Sequence, residues 1–191
     1  RAPRAASTVA AATATSGSGA GTSRSCRSTV QSVASLSPQA ALDRGWCLMD
    51  LNRPHEAAQA FERALASPSQ DVRRDAGYGQ SLAYLRLGLV DEASVAAAKA
   101  PQDAGRSSEL QGSILAERAL AHFEKGRYLE ALLTLDQRAA IAPERVDLMV
   151  LRGYAYLNLG RVGDATRVFQ AAAGTGDREA MRGLAVARET P

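Results

Sequence analysis

The side chains able to do chemistry in this sequence are two histidines, two cysteines and a scatter of acids, and their spacing decides what they could do. Proton-transfer or nucleophilic catalysis needs a base within hydrogen-bond reach of a nucleophile, with a third group to orient it. His55 follows Pro54 at the corner of a turn, and His122 stands among helix formers at a place that tyrosines hold elsewhere; neither has a Cys, Ser or acid at motif spacing. A zinc site would need paired ligands such as CxxC, and Cys26 and Cys47 stand singly. In an exported chain the two could be bonded and tether the N-terminal segment to the first helix; otherwise Cys47 reads as a small buried hydrophobe and Cys26 as an exposed thiol. Ser16 to Gly21 is glycine-rich but lacks the lysine and the strand-to-helix setting of a phosphate loop. Asp91 and Glu92 fall at the start of a helix, where the positive end of the macrodipole accounts for them. The expectation is a chain with no catalytic residues, no metal site and no cofactor.

Composition indicates what kind of scaffold holds these residues. Aromatic residues make up only 5% of the 191 residues while alanine is abundant, so a core must come from close approach of small side chains, which suits closely spaced helices. Residues 1–40 carry Arg1, Arg4, Arg24 and Arg27 with no acid, so of the net charge of +3 the remaining residues contribute −1. That nearly neutral part has no basic footprint for a nucleic acid. No stretch reaches the roughly 18 apolar residues of a membrane span, so the repeat region is not membrane-spanning. Lysine occurs only at 99 and 125, an arginine preference that fits the codon usage of a GC-rich bacterial genome.

Residues 1–36, rich in Ala, Ser, Gly and Thr, bury too little apolar surface to offset their conformational entropy and read as a flexible leader or linker. The start at Arg1 reads as a fragment or a processed form. From Ser37, a cap ahead of Pro38, a helical period takes over and runs through residues 37–191. Ala41, Leu42, Gly45, Trp46, Leu48 and Met49 recur at three- and four-residue steps until Asn52-Arg53-Pro54, and a second helix follows from about His55 to Ala66. A further pair starts near Asp71, turns at Leu87-Gly88-Leu89, continues from Asp91 to Lys99 and ends at Pro101, and Gln102 to Ser108 reads as a linker. Two more pairs lie between Leu115 and Ala173, and a last helix from about Asp177 to Arg188 caps the stack.

The four pairs share one plan. A small residue is followed by a ring or large aliphatic residue, then Gly or Asn at the turn, an alanine early in the second helix, and a large apolar residue four further on. The first pair supplies Gly45, Leu48, Asn52, Ala57 and Phe61; the second Ser81, Tyr84, Gly88, Ala93 and Ala97. The third supplies Ala119, His122, Gly126, Ala131 and Leu135; the fourth Gly153, Tyr156, Gly160, Ala165 and Phe169. Alanines 57, 93, 131 and 165 are separated by 36, 38 and 34 residues. On these motifs, over about residues 37–188, the chain resembles the tetratricopeptide-repeat proteins. It departs from the pattern at Ala97, where a bulky residue is usual, and at Arg138, where a small one is usual.

The resemblance implies an all-α fold, an alpha-alpha superhelix of about four helix pairs plus a C-terminal capping helix. It also implies a non-catalytic scaffold whose first helices line a concave groove for a peptide or partner protein. Carried over pair by pair, the groove holds Trp46, Met49, Tyr78, Leu82, Arg86, Phe123, Tyr154 and Asn158. Aromatic anchors of this kind suit an extended peptide or a helix, and rings can also stack on sugars, which admits a polysaccharide. Chaperone-tail-binding members clamp a carboxylate with Lys, Asn and Arg; the matching places here hold Asp43, Trp46, Leu82, Leu120 and Tyr154, which argues against that ligand. The alternative is a periplasmic segment of an outer-membrane exopolysaccharide-export or phage-receptor protein, because such proteins carry arrays resembling Leu151 to Gly174. On that resemblance a periplasmic location is favoured over a cytoplasmic one.

Overall fold

A computed structural model describes residues 35–190. The expected leader 1–36, apart from Ser35 and Leu36, lies outside the described residues, as do the glycine-rich run and Cys26. The described residues form helices α1 (Pro38–Asp50), α2 (Pro54–Ala64), α3 (Gln70–Arg86), α4 (Val90–Lys99), α5 (Ala104–Glu124), α6 (Tyr128–Ala139), α7 (Val146–Asn158), α8 (Val162–Ala173) and α9 (Arg178–Glu189), with no strand among them. The fold is all-α, built from helix pairs of the tetratricopeptide type.

Local chemistry sets the ends of these helices. Ser37 accepts a hydrogen bond from the Ala40 N–H at 3.3 Å ahead of Pro38, and Asp177 accepts one from Ala180 at 2.8 Å, the N-caps the sequence suggests. Asn52, Gly88, Gly126 and Gly160 all adopt positive φ, between 55° and 73°. Each ends the first helix of a pair, and the residue after it donates back five positions: Arg53 to Leu48 O, Leu89 to Tyr84 O, Arg127 to His122 O and Arg161 to Tyr156 O. This is the Schellman closure, and it explains why Gly or Asn recurs four residues after the ring position. One expectation is corrected. Gln102 to Ser108 is not a linker throughout, because Asp103 takes the Arg106 N–H on its carboxylate at 3.0 Å and the Ser107 N–H on its carbonyl at 2.9 Å, which starts α5 at Ala104.

The chain divides into two compact units, one ending at Leu110 and the other starting at Gln111. In the first, α1, α2, α3 and α4 pack in succession and α1 also touches α3. Its core is mostly alanine, with Ala41, Ala57, Ala60, Ala64, Ala76 and Ala83 fully buried around Phe61. In the second, α7 packs on α6, α8 on α7 and α9 on α8, and α7 also touches α9. Here Phe169, with Ala165 and Ala187, centres one cluster and Leu135, with Ala119, Leu148 and Leu151, another.

The two phenylalanines hold the same place in their units. A Cβ added at Gly45 of α1 or at Gly79 of α3 would come within 2.5 Å of the Phe61 ring. Gly153 of α7 would come within 2.6 Å of Phe169, and Gly183 of α9 is as tightly pressed to the same ring. Each ring thus lies in a slot that only two glycines leave open, which is how a chain poor in aromatics reaches close packing.

Arg138 and Arg152 are buried in the second unit, each 8% exposed. Arg138 turns its guanidinium onto the Ala142 and Pro143 carbonyls, so the large residue in the small-residue slot closes the α6–α7 loop in place of an alanine contact. Arg152 bonds Glu144 at 3.0 Å and Asp136 at 2.6 Å. Burial works against its charge, but the Glu144 and Asp136 carboxylates more than offset this and hold the guanidinium firmly protonated.

Candidate functional site

The groove residues expected from the sequence divide between the two units. In the first, Trp46 of α1 is half-buried, edge-on to Phe61 with ring centroids 5.1 Å apart and tilted against Tyr78 at 6.2 Å. Its ring packs on the core of the unit and stays partly accessible. Leu82 is half-buried one turn after Tyr78 and packs on the unit's core. Met49 is 3% exposed and Tyr78 4%, so both belong to the core and offer little surface.

Tyr78 is enclosed from the side of α5. Arg106 lies over its ring at 4.8 Å and is ion-paired with Asp75, while Glu109 accepts from the phenol. Burial, then the Glu109 carboxylate, pushes the phenol up to about 12. The Asp75 carboxylate in turn raises the Arg106 guanidinium above its ordinary value. The first turns of α5 therefore pin themselves across Tyr78, an arrangement missed in the sequence because these turns read as a linker.

Arg86 is exposed at the end of α3 and donates to the Met49 carbonyl at 2.7 Å, tying the C-terminus of α3 to that of α1. Beside it opens a recess of about 720 Å³ lined by Met49, Asp50, Asn52, Leu85, Arg86 and the Leu87-Gly88 turn. Two expected site residues thus meet at the turn end of the first two helix pairs. An exposed Asp50 carboxylate and the Arg86 guanidinium give the recess both signs of charge.

In the second unit Tyr154 repeats the role of Trp46. It is half-buried, edge-on to Phe169 at 5.0 Å, and its hydroxyl donates to Glu179 of α9 at 2.7 Å. Burial, then Glu179, holds its phenol well above the usual tyrosine range. Asn158, exposed one turn further on, donates back to the Tyr154 carbonyl at 2.8 Å. Phe123 is half-buried against Tyr128 at 5.3 Å.

His122, in the ring slot of the third pair, is half-buried, and its Nδ1 is enclosed without a hydrogen-bond partner. Burial, then the Arg127 charge, lowers its pKa below the usual histidine value. Among the described residues no three His, Cys, Asp or Glu side chains gather as metal ligands, and no helix is long and apolar enough to cross a membrane. Cys47 is buried and disulfide-bonded.

Gly79 is a packing residue that the sequence reading did not single out, while Ser81, the small residue expected in the second pair, is fully buried. A family model described as tetratricopeptide repeat matches residues 30–72 and 42–109. No curated protein matches the chain. Tetratricopeptide repeats generally mediate protein–protein interaction. Over residues 30–109 the chain is thus similar to the tetratricopeptide-repeat family, and the same phenylalanine-between-glycines packing recurs in α7 to α9.

Proposed function

We propose that this chain is a non-catalytic protein-interaction scaffold that takes a peptide or helix of a partner along the first helices of its pairs. In the first unit the contact surface is Trp46, Leu82 and the Met49–Arg86 recess; in the second it is Tyr154 with Asn158. The observation that carries this reading is Trp46 itself. Phe61 packs against its ring while part of the side chain stays accessible, so a ligand gains aromatic area without ordering a loose side chain.

The test is a random-peptide display selection on the full chain, followed by affinity measurement against Trp46→Ala, Arg86→Glu and Tyr154→Ala. Selected peptides should lose at least tenfold in affinity for one or more of these variants. Selected peptides that bind all three as tightly as the parent would remove the groove.

The disulfide at Cys47 favours a second reading, a segment of an envelope protein working in an oxidising compartment such as the periplasm. Thiol titration of protein recovered unreduced from its native cells tests it. Two free thiols per chain would exclude this reading and leave the scaffold proposal standing.

A further inference from the structure

The Met49–Arg86 recess carries more negative charge than its side chains alone supply. α1 and α3 end beside one another there, since Arg86, in the last turn of α3, donates to the Met49 carbonyl at 2.7 Å. The carbonyls left over at a helix C-terminus amount to roughly half a negative charge, which a basic residue in the last turn offsets. α1 has no basic residue in its last turn and ends on an acid, Asp50. Four residues after Asp50, where a continuing helix would supply a donor to its carbonyl, stands Pro54, which has no N–H.

Among the described residues no cation pairs with the exposed Asp50 carboxylate. Arg53, just past the turn, is ion-paired with Glu56. Two helix ends and one carboxylate therefore stand against the single Arg86 guanidinium, and the recess keeps about one negative charge uncompensated. The rest of the lining suits a long cationic side chain. Met49, Leu85 and the half-buried Leu87 form its apolar side, and the exposed Asn52 adds an amide oxygen as acceptor. All of this lining comes from α1, α3 and the turns that follow them, within the first unit.

We propose that the recess selects a lysine or arginine side chain of the bound peptide, two places from an apolar residue seated on Trp46. The inference rests on the groove reading above and adds to it the charge of the ligand. The spacing follows from α1 itself: Trp46 and Asp50 lie one turn apart, roughly 6 Å along the helix axis. An extended peptide covers that length in two residues, whose side chains share one face.

The probe is a random-peptide display library selected on the full chain, with enriched peptides synthesised and titrated by fluorescence anisotropy. Enriched peptides should carry Lys or Arg two places from a large apolar residue. Changing that basic residue to Glu, or Asp50→Lys in the chain, should each weaken binding at least about fivefold. Combining the two changes should recover affinity, and simple addition of the two losses overturns the proposal. Peptides that weaken with Trp46→Ala but lack the basic residue, or ignore Asp50→Lys, overturn this inference and leave the groove standing. Peptides that ignore Trp46→Ala, Arg86→Glu and Tyr154→Ala alike remove the groove and this inference with it. Asp50→Lys puts a cation at the helix end that lacks one, so its melting temperature should equal or exceed the parent's. A lower one would mean that Asp50 is engaged within the fold, and would overturn the proposal.

Discussion

Gly79 backs onto the Phe61 ring so closely that a methyl group there would sit 2.5 Å from both Cε1 and Cζ, well inside contact distance. The ring is fully buried between α1, α2 and α3 and cannot swing away. Gly79→Ala should therefore destabilise the chain by about 1–3 kcal/mol, although alanine is the better helix former. Gly163, in the first turn of α8 with open space around it, is the control: Gly163→Ala should be neutral or stabilise by up to about 1 kcal/mol. Urea unfolding of the two variants decides this, and equal midpoints would show that the slot yields.

Arg152 is the charged counterpart of that slot. Its side chain is 10% exposed and Glu144 20%, so removing the cation leaves a partly buried carboxylate without its partner. Arg152→Ala should cost about 2–4 kcal/mol. In a double-mutant cycle with Glu144→Ala the coupling should reach about 1–3 kcal/mol, and strict additivity would mean that the pair is ornamental.

Alkaline stability should report on Tyr78. Its phenol titrates near 10 in the unfolded chain and about 12 in the folded one, so the folded state holds its proton longer. That contribution is complete below pH 10 and is lost as pH rises from 10 to about 12. Melting temperatures of the parent and Tyr78→Phe should converge across this window, and an unchanged gap would place the phenol in water.

The acid side should report on His122. Its folded pKa lies below the 6.5 of a free histidine, so the unfolded chain takes up a proton first and stability falls as pH drops through 6.5. His122→Tyr, which restores the ring found at Tyr84 and Tyr156, should flatten that fall. Observation of the His122 ring by NMR titration checks the direction; a midpoint above 6.5 would reverse the sign.

Much of the fold was legible because its determinants are local. A left-handed residue is required wherever a Schellman closure ends a first helix, and only Gly or Asn serves cheaply, so Asn52, Gly88, Gly126 and Gly160 stand in the sequence as punctuation. The alanines five residues further on record the close approach of helices in their missing side-chain volume. The candidate site was less legible. Trp46 and Tyr154 could be placed on the first helices from their spacing, but their edge-on contacts with Phe61 and Phe169 depend on the second helix of each pair.

What the sequence alone determined, then, was the period, the turns and the slim faces, because backbone conformation and side-chain volume are properties of single residues. Only the tertiary structure decided that Gly79 backs onto the Phe61 ring, that Arg106 and Glu109 close over Tyr78, and that Arg152 joins Asp136 to Glu144. Those contacts join side chains 8 to 31 positions apart, and whether two such groups meet depends on how one helix is rotated against the next, which no single residue encodes.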